Sequence, residues 1–237
     1  REAFEINIGF MKRMATPGGK GLPWVRMKTA ASLDGITALP NGTSQWITGE
    51  AARIDGHAWR ARSCAILTGI GTILADDPSL NVRHVPTSRE PTFVLVDSQL
   101  EVPIHAKLWG ISRPVWIYTA VDLTSRSKQA KIKALKALGA EIICLANPTG
   151  KVDLAAMLTD LGQRQINELH VEAGFKLNGS FWREGLVDEL LLYQSAQLMG
   201  TGQGIANLGT FEKLADTPKL SYHSVDRIGD DLRIISR

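Results

Sequence analysis

The chain has 237 residues, 44% of them hydrophobic and 22% charged, with a formal net charge of +3. That is enough for one large domain or two small ones with a sizeable core. It carries no basic block interleaved with aromatics, so no nucleic-acid partner is expected. No apolar run is long enough to span a bilayer and no secretory signal opens the chain, so a cytoplasmic protein with no membrane contact is expected. Cys64 and Cys144 each lie in an apolar run. Two buried free thiols are therefore expected, and no metal site among these residues.

Residues 1–22 run through Met11-Lys12-Arg13-Met14 into Pro17-Gly18-Gly19 and read as a linker entering a domain that occupies residues 23–237. Trp24 to Ala31 alternates and reads as the first strand, with Lys28 inside it. Turns at Ser32–Gly35 and Asn41-Gly42 could bracket a short hairpin arm. Thr48 is a good N-cap for a helix from about Gly49 to Arg62. Ser63 to Leu67 reads as a buried strand, and Thr68 to Arg83 as the turn and polar segment after it. Thr92–Val96, Pro114–Tyr118, Ala140–Leu145, Glu168–Glu172 and Val187–Tyr193 are further strands. Helices are expected over Ser125–Leu138, over Asp153–Gln163 with Asp153 as cap, and from about Leu177 to Glu184. Tyr222–Arg227 and Leu232–Ile235 read as a final antiparallel pair around Gly229-Asp230-Asp231. Buried strands alternating with helices imply an α/β fold with a mixed, mostly parallel sheet flanked by helices.

In such a sheet ligands bind beyond the carboxyl ends of strands. Three stretches fall there: Gly69–Asp77, Asp97-Ser98 and Glu172–Ser180. Gly69-x-Gly71 is weak, because Leu74 stands where a dinucleotide fingerprint has its third glycine. The sequence from Gly174 to Gly179-Ser180 follows a strand directly and a helix starts within it, which suits a phosphate at free backbone N–H groups. Ser180 stands where a P-loop has its lysine, so a pyrophosphate-bearing cofactor fits better than nucleotide hydrolysis. A plain glycine-permitted turn fits the same residues, and the pattern alone leaves both readings open. The histidines are scattered, and no covalent nucleophile stands out.

The motifs KTAASLDGITA, SQWITG, RARSCAILTGIGTILADDPSLNVR, VEAGFKLNGS and GLVDELLLY occur in that order. Together they resemble the reductase domain of the bacterial bifunctional riboflavin biosynthesis proteins, which pair a pyrimidine deaminase with a 5-amino-6-(5-phosphoribosylamino)uracil reductase. The resemblance covers the chain from about Asn7 to its end. It implies a dihydrofolate-reductase-like fold, a homodimer, and NADPH as cofactor. It also implies hydride transfer to ribose C1 of a ring-opened imine, giving the ribitylamino product. Zinc belongs to the deaminase domain, whose H-x-E and P-C-x-x-C motifs do not occur in this sequence.

Matched residue by residue, the resemblance implies cofactor contacts at Ala30, Trp46, Thr72, Asp76, Ser98, Gly174, Phe175, Lys176, Leu177, Asn178, Gly179 and Ser180. Substrate contacts are implied at Ser44, Arg60, Leu80, Arg83 and Glu172. Arg60 and Arg83 suit a phosphate clamp, because guanidinium groups bind phosphate bidentately. Lys28 and Glu172 are candidates for polarising or protonating the imine nitrogen. Relatives often read EGGPTLAGS at the phosphate turn. Here Phe175 replaces the helix-starting proline and Lys176 adds a cation. A pteridine reductase of similar fold, or a non-catalytic nucleotide-binding or dimerisation module, are the alternatives.

Overall fold

A computed structural model describes residues 2–15 and 21–237. In chain order it contains α1 (Glu2–Ala15), β1 (Trp24–Ala31), α2 (Glu50–Arg62), β2 (Ala65–Gly69), α3 (Ile70–Asp76) and β3 (Thr92–Val96). Then come β4 (Val115–Thr119), α4 (Gln129–Ala137), β5 (Ala140–Cys144), α5 (Leu154–Gln163) and β6 (Glu168–Val171). The chain closes with α6 (Phe175–Arg183), β7 (Glu189–Gln194), β8 (Tyr222–Ile228) and β9 (Asp231–Ser236).

It divides into two compact units. The first comprises residues 1–24 and 60–170, the second residues 25–59 and 171–237. In the first, the strand order is β5-β4-β3-β2-β6. Its neighbours β2 and β3, β3 and β4, and β4 and β5 pair in parallel. Each crossover carries a helix or a long loop, as parallel pairing demands. β2 is buried at every position, the continuous apolar run of a strand covered on both faces. Ile66, Phe93, Leu95, Leu108, Ile117 and Leu135 form the core of this unit. α5 buries Leu154, Met157, Leu158 and Leu161 along one stripe, and the Asp153 carboxylate accepts the Ala156 N–H at 2.9 Å as its N-cap.

In the second unit the order is β1-β7-β9-β8. β1 and β7 run parallel, while β9 is antiparallel to both β7 and β8. Ala52, Leu191, Tyr193 and Ile235 form a small core there, with Trp59 packed against it. The mixed, mostly parallel arrangement and the antiparallel final pair agree with the sequence reading.

Three expectations need correction. The segment read as a linker holds α1, whose Ile8 is buried and whose Arg13 Nε donates to Asn167 Oδ1 at 2.6 Å. Its partner lies 154 positions away, so nothing local announced a docked helix. Residues 16–20 of that segment lie outside the described residues. The turns at Ser32–Gly35 and Asn41-Gly42 form, but they do not bracket a hairpin. Ala38 instead makes an antiparallel bridge with Gln203. Finally, both thiols are free, yet Cys64 is half-buried and Cys144 exposed. Cys144 ends β5, the outermost strand of its unit, where an apolar run is covered on one side only.

Candidate functional site

In the first unit, Gly69 is the N-cap of α3, with no side-chain cap bond. The glycines after β2 therefore open an ordinary short helix, not a dinucleotide turn. Thr72 and Asp76 stand four residues apart on α3 and share one face. Asp77 turns left-handed at φ 40° and its Oδ1 accepts the Lys107 N–H at 2.9 Å. The chain then reaches Leu80, left-handed at φ 45°. The Leu80 side chain is buried in the core cluster, so what this residue can offer a ligand is main chain.

Asn81 is the residue on which two predicted cations meet. Arg60 Nη1 donates to the Asn81 carbonyl at 3.0 Å, and Arg83 Nη1 donates to Asn81 Oδ1 at 3.1 Å. The structure therefore brings Arg60, on α2, beside Arg83, on a loop. Asn81 itself was not among the sequence candidates, although its place between Leu80 and Arg83 was a signal that could have found it.

At the end of β3, Ser98 Oγ accepts the Val152 N–H at 3.3 Å, and its carbonyl accepts the Ala120 N–H at 3.1 Å. The preceding Asp97 is fully buried. Burial pushes its carboxyl up, and the Val102 N–H, donating to Oδ2 at 2.9 Å, opposes that shift. Asp97 thereby pins the loop that carries Ser98.

In the second unit, Lys28 Nζ on β1 lies 3.7 Å from Glu172 Oε2, and both side chains are largely shielded, at 23% and 11% exposure. Ala30 sits opposite Tyr193 in the β1–β7 register. The Lys28 ammonium lies 5.8 Å from the Tyr193 ring centroid, within cation–π range. The Tyr193 hydroxyl donates to Asp55 Oδ2 at 2.5 Å, and Arg233 Nη1 donates to the same carboxylate at 3.0 and 3.1 Å. Burial first, and then Asp55, hold the Tyr193 phenol far above its ordinary range, so it stays a neutral donor. Tyr193 and Asp55 gave no signal in the sequence.

Ser44 is half-buried in the loop between β1 and α2, and Trp46 is exposed. The Arg53 guanidinium lies 4.6 Å from the Trp46 ring centroid, while its Nη1 donates to the Thr48 carbonyl at 2.7 Å. The indole is thus presented outward on a cationic support.

α6 starts at Phe175, two residues before the expected start. Its N-cap, Gly174, supplies no side-chain cap bond, so the first-turn N–H groups have no acceptor from the cap residue. Gly174 and Lys176 are exposed, and Phe175, Leu177 and Ser180 half-buried. Asn178 and Gly179 face the opposite way. Asn178 Nδ2 donates to the Ile205 carbonyl at 3.1 Å, and a Cβ on Gly179 would collide with the Asn207 main chain. The uncapped start of α6 suits a phosphate-bearing ligand. Among the described residues no group of His, Cys, Asp and Glu is placed to hold a metal ion, and no helix is long and apolar enough to cross a membrane.

The sequence profile of the RibD C-terminal domain matches residues 23–234. The chain belongs to the RibD C-terminal domain family. The riboflavin biosynthesis protein RibD of Escherichia coli (strain K12) is 37% identical over 245 residues, covering 98% of this chain and 63% of that protein. RibD of Haemophilus influenzae is 38% identical, covering 98% of this chain and 62% of its own length. The chain therefore spans less than two thirds of these relatives. The solved RibD of Acinetobacter baumannii has a TM-score of 0.85 at 34% identity, covering 99% of this chain and 62% of that one. The yeast riboflavin biosynthesis reductase Rib7 has a TM-score of 0.67 at 16% identity, covering 100% of this chain and 99% of that one, a likeness of fold. This RibD C-terminal domain thus has the dihydrofolate-reductase-like fold expected for it.

Proposed function

We propose that the chain is an NADPH-dependent reductase of riboflavin biosynthesis that converts 5-amino-6-(5-phosphoribosylamino)uracil to its ribitylamino form. On this reading it is the reductase part of a longer protein that also carries a zinc-dependent pyrimidine deaminase domain. The observation that carries the reading is the meeting of Arg60 and Arg83 on Asn81. Two guanidinium groups ordered about one asparagine suit a phosphate dianion, and a pteridine substrate needs neither.

When bound, the nicotinamide cofactor supplies the hydride. The first turn of α6 would hold a phosphate of that cofactor at its backbone N–H groups. Arg60 and Arg83 hold the substrate phosphate. Reduction of the ring-opened imine adds a hydride to C1 and a proton to nitrogen. Lys28 Nζ holds that proton, and Glu172, 3.7 Å away, keeps the ammonium in place. The pairing also partly neutralises two charges that are mostly shielded from water.

The test mixes the purified chain with NADPH or NADH and follows cofactor oxidation with the phosphoribosylamino-uracil and with dihydrofolate. Oxidation of NADPH with the phosphorylated substrate is expected. Turnover of dihydrofolate in its place would sink the proposal.

A further inference from the structure

The segment from Ser79 to Arg83 is fastened by two residues that the proposed reaction does not use. Arg113, just before β4, reaches back 33 positions. Its Nη1 donates to the Leu80 carbonyl at 2.6 Å and its Nη2 to the Ser79 carbonyl at 2.5 Å. The guanidinium lies 4.6 Å from the ring centroid of Phe93, a fully buried residue of β3. Glu90 takes the opposite polarity, its Oε2 accepting the Val82 N–H at 3.0 Å. A cation thus holds the carbonyls of the segment and an anion holds its N–H.

Between these anchors Leu80 keeps φ 45°, a backbone state that a leucine adopts only where its surroundings over-determine it. Asn81 follows at once and receives both Arg60 and Arg83. The three charges also feel one another. Burial lowers the Arg113 pKa to about 10, Arg60 adds to the fall and Glu90 opposes it, so Arg113 stays protonated at neutral pH.

We infer that Arg113 and Glu90 are positioning residues: by fixing the backbone from Ser79 to Val82 they set where Asn81 presents Arg60 and Arg83, and so govern affinity for a phosphorylated substrate without touching it. The inference rests on the reading of those two arginines as phosphate ligands. Arg113 is chemically suited to the task. Its fork addresses two successive carbonyls at once, which a lysine ammonium on a flexible stem does less well.

The experiment compares the full chain with its Arg113→Ala, Arg113→Lys and Arg83→Ala variants. The readouts are KM and kcat for the phosphorylated substrate, KM for the dephosphorylated one, and the Kd of NADPH. Arg113→Ala is expected to raise KM for the phosphorylated substrate about tenfold, the scale of a lost hydrogen bond to a charged group. KM for the dephosphorylated substrate and the cofactor Kd should stay as they are. Arg113→Lys should fall between, and it carries the test if the alanine variant does not fold. An unchanged ratio of the two KM values in the Arg113 variants, with a changed ratio in Arg83→Ala, overturns the inference alone. An unchanged ratio in Arg83→Ala as well overturns the phosphate clamp, and the inference with it.

Discussion

Glu172 and Lys28 differ from the surface ion pairs of this chain in being largely shielded, as a proton-handling pair must be. Glu172→Gln keeps the shape of the side chain and removes its charge. Steady-state kinetics should then show kcat lowered by roughly 10²-fold, the lower end for a positioned acid–base group, with the NADPH Kd unchanged. An unaltered kcat would remove Glu172 from the chemistry.

Asp34 illustrates a different use of charge. Its carboxylate accepts the Ser32 hydroxyl at 2.5 Å and the Gly200 N–H at 2.7 Å, with both oxygens 3.1 Å from the Met199 N–H. The Ser32 bond first, then the two backbone N–H groups, lower its pKa from 3.8 to about 2. A folded-state pKa below the unfolded one means that the ionised group stabilises the fold above pH 3.8, and that this contribution fades as pH falls towards about 2. Asp34→Asn should therefore unfold at lower urea than the parent at neutral pH, and the gap should close at the acid end. A gap independent of pH would refute the assignment.

Sequence reasoning at the residue scale named Arg60, Arg83, Lys28 and Glu172, because charge at a strand end or in a motif is visible in one dimension. Asn81, Glu90 and Arg113 escaped it. Their roles consist of where their carbonyls, carboxylate and guanidinium end up in space.

Among the elements, α6 shows how a helix can be tied down by the lack of a side chain. Gly179 lies against the Asn207 main chain, and Arg183 Nη1 also donates to that carbonyl. Alanine is the better helix former by about 1 kcal/mol, but an added methyl there must displace backbone, at a typical cost of about 1–3 kcal/mol. Gly179→Ala should therefore lower the Tm in thermal unfolding. A raised Tm would mean that the loop at Asn207 yields without cost. Element existence was well marked in the sequence. β1 and β3 match their expected bounds, and Asp153 caps α5 as its type and position suggest. α1 was missed because its polar and apolar residues are mixed among glycine- and proline-rich neighbours, and its docking partner is remote in sequence.

For the molecule as a whole, alternation of buried strands with helices was enough to imply a mixed, mostly parallel sheet. Short buried runs joined by helical crossovers leave few other solutions. Strand order was another matter. That β7 lies next to β1, with Arg26 paired to Glu189 across 163 positions of chain, depends on which surfaces cover one another. The same holds for Ala38 meeting Gln203 instead of folding back on its own turn.

The sequence by itself determined most of the element types, the fold class and the family, since periodicity, capping chemistry and ordered motifs are local properties written along the chain. Only the tertiary structure decided that α1 is a docked helix, that Cys144 is exposed, and that Asn81 is the point where Arg60 and Arg83 meet. Each of these depends on contacts between residues far apart in sequence, and such contacts exist only after the chain has paid the entropy of closing the loops between them.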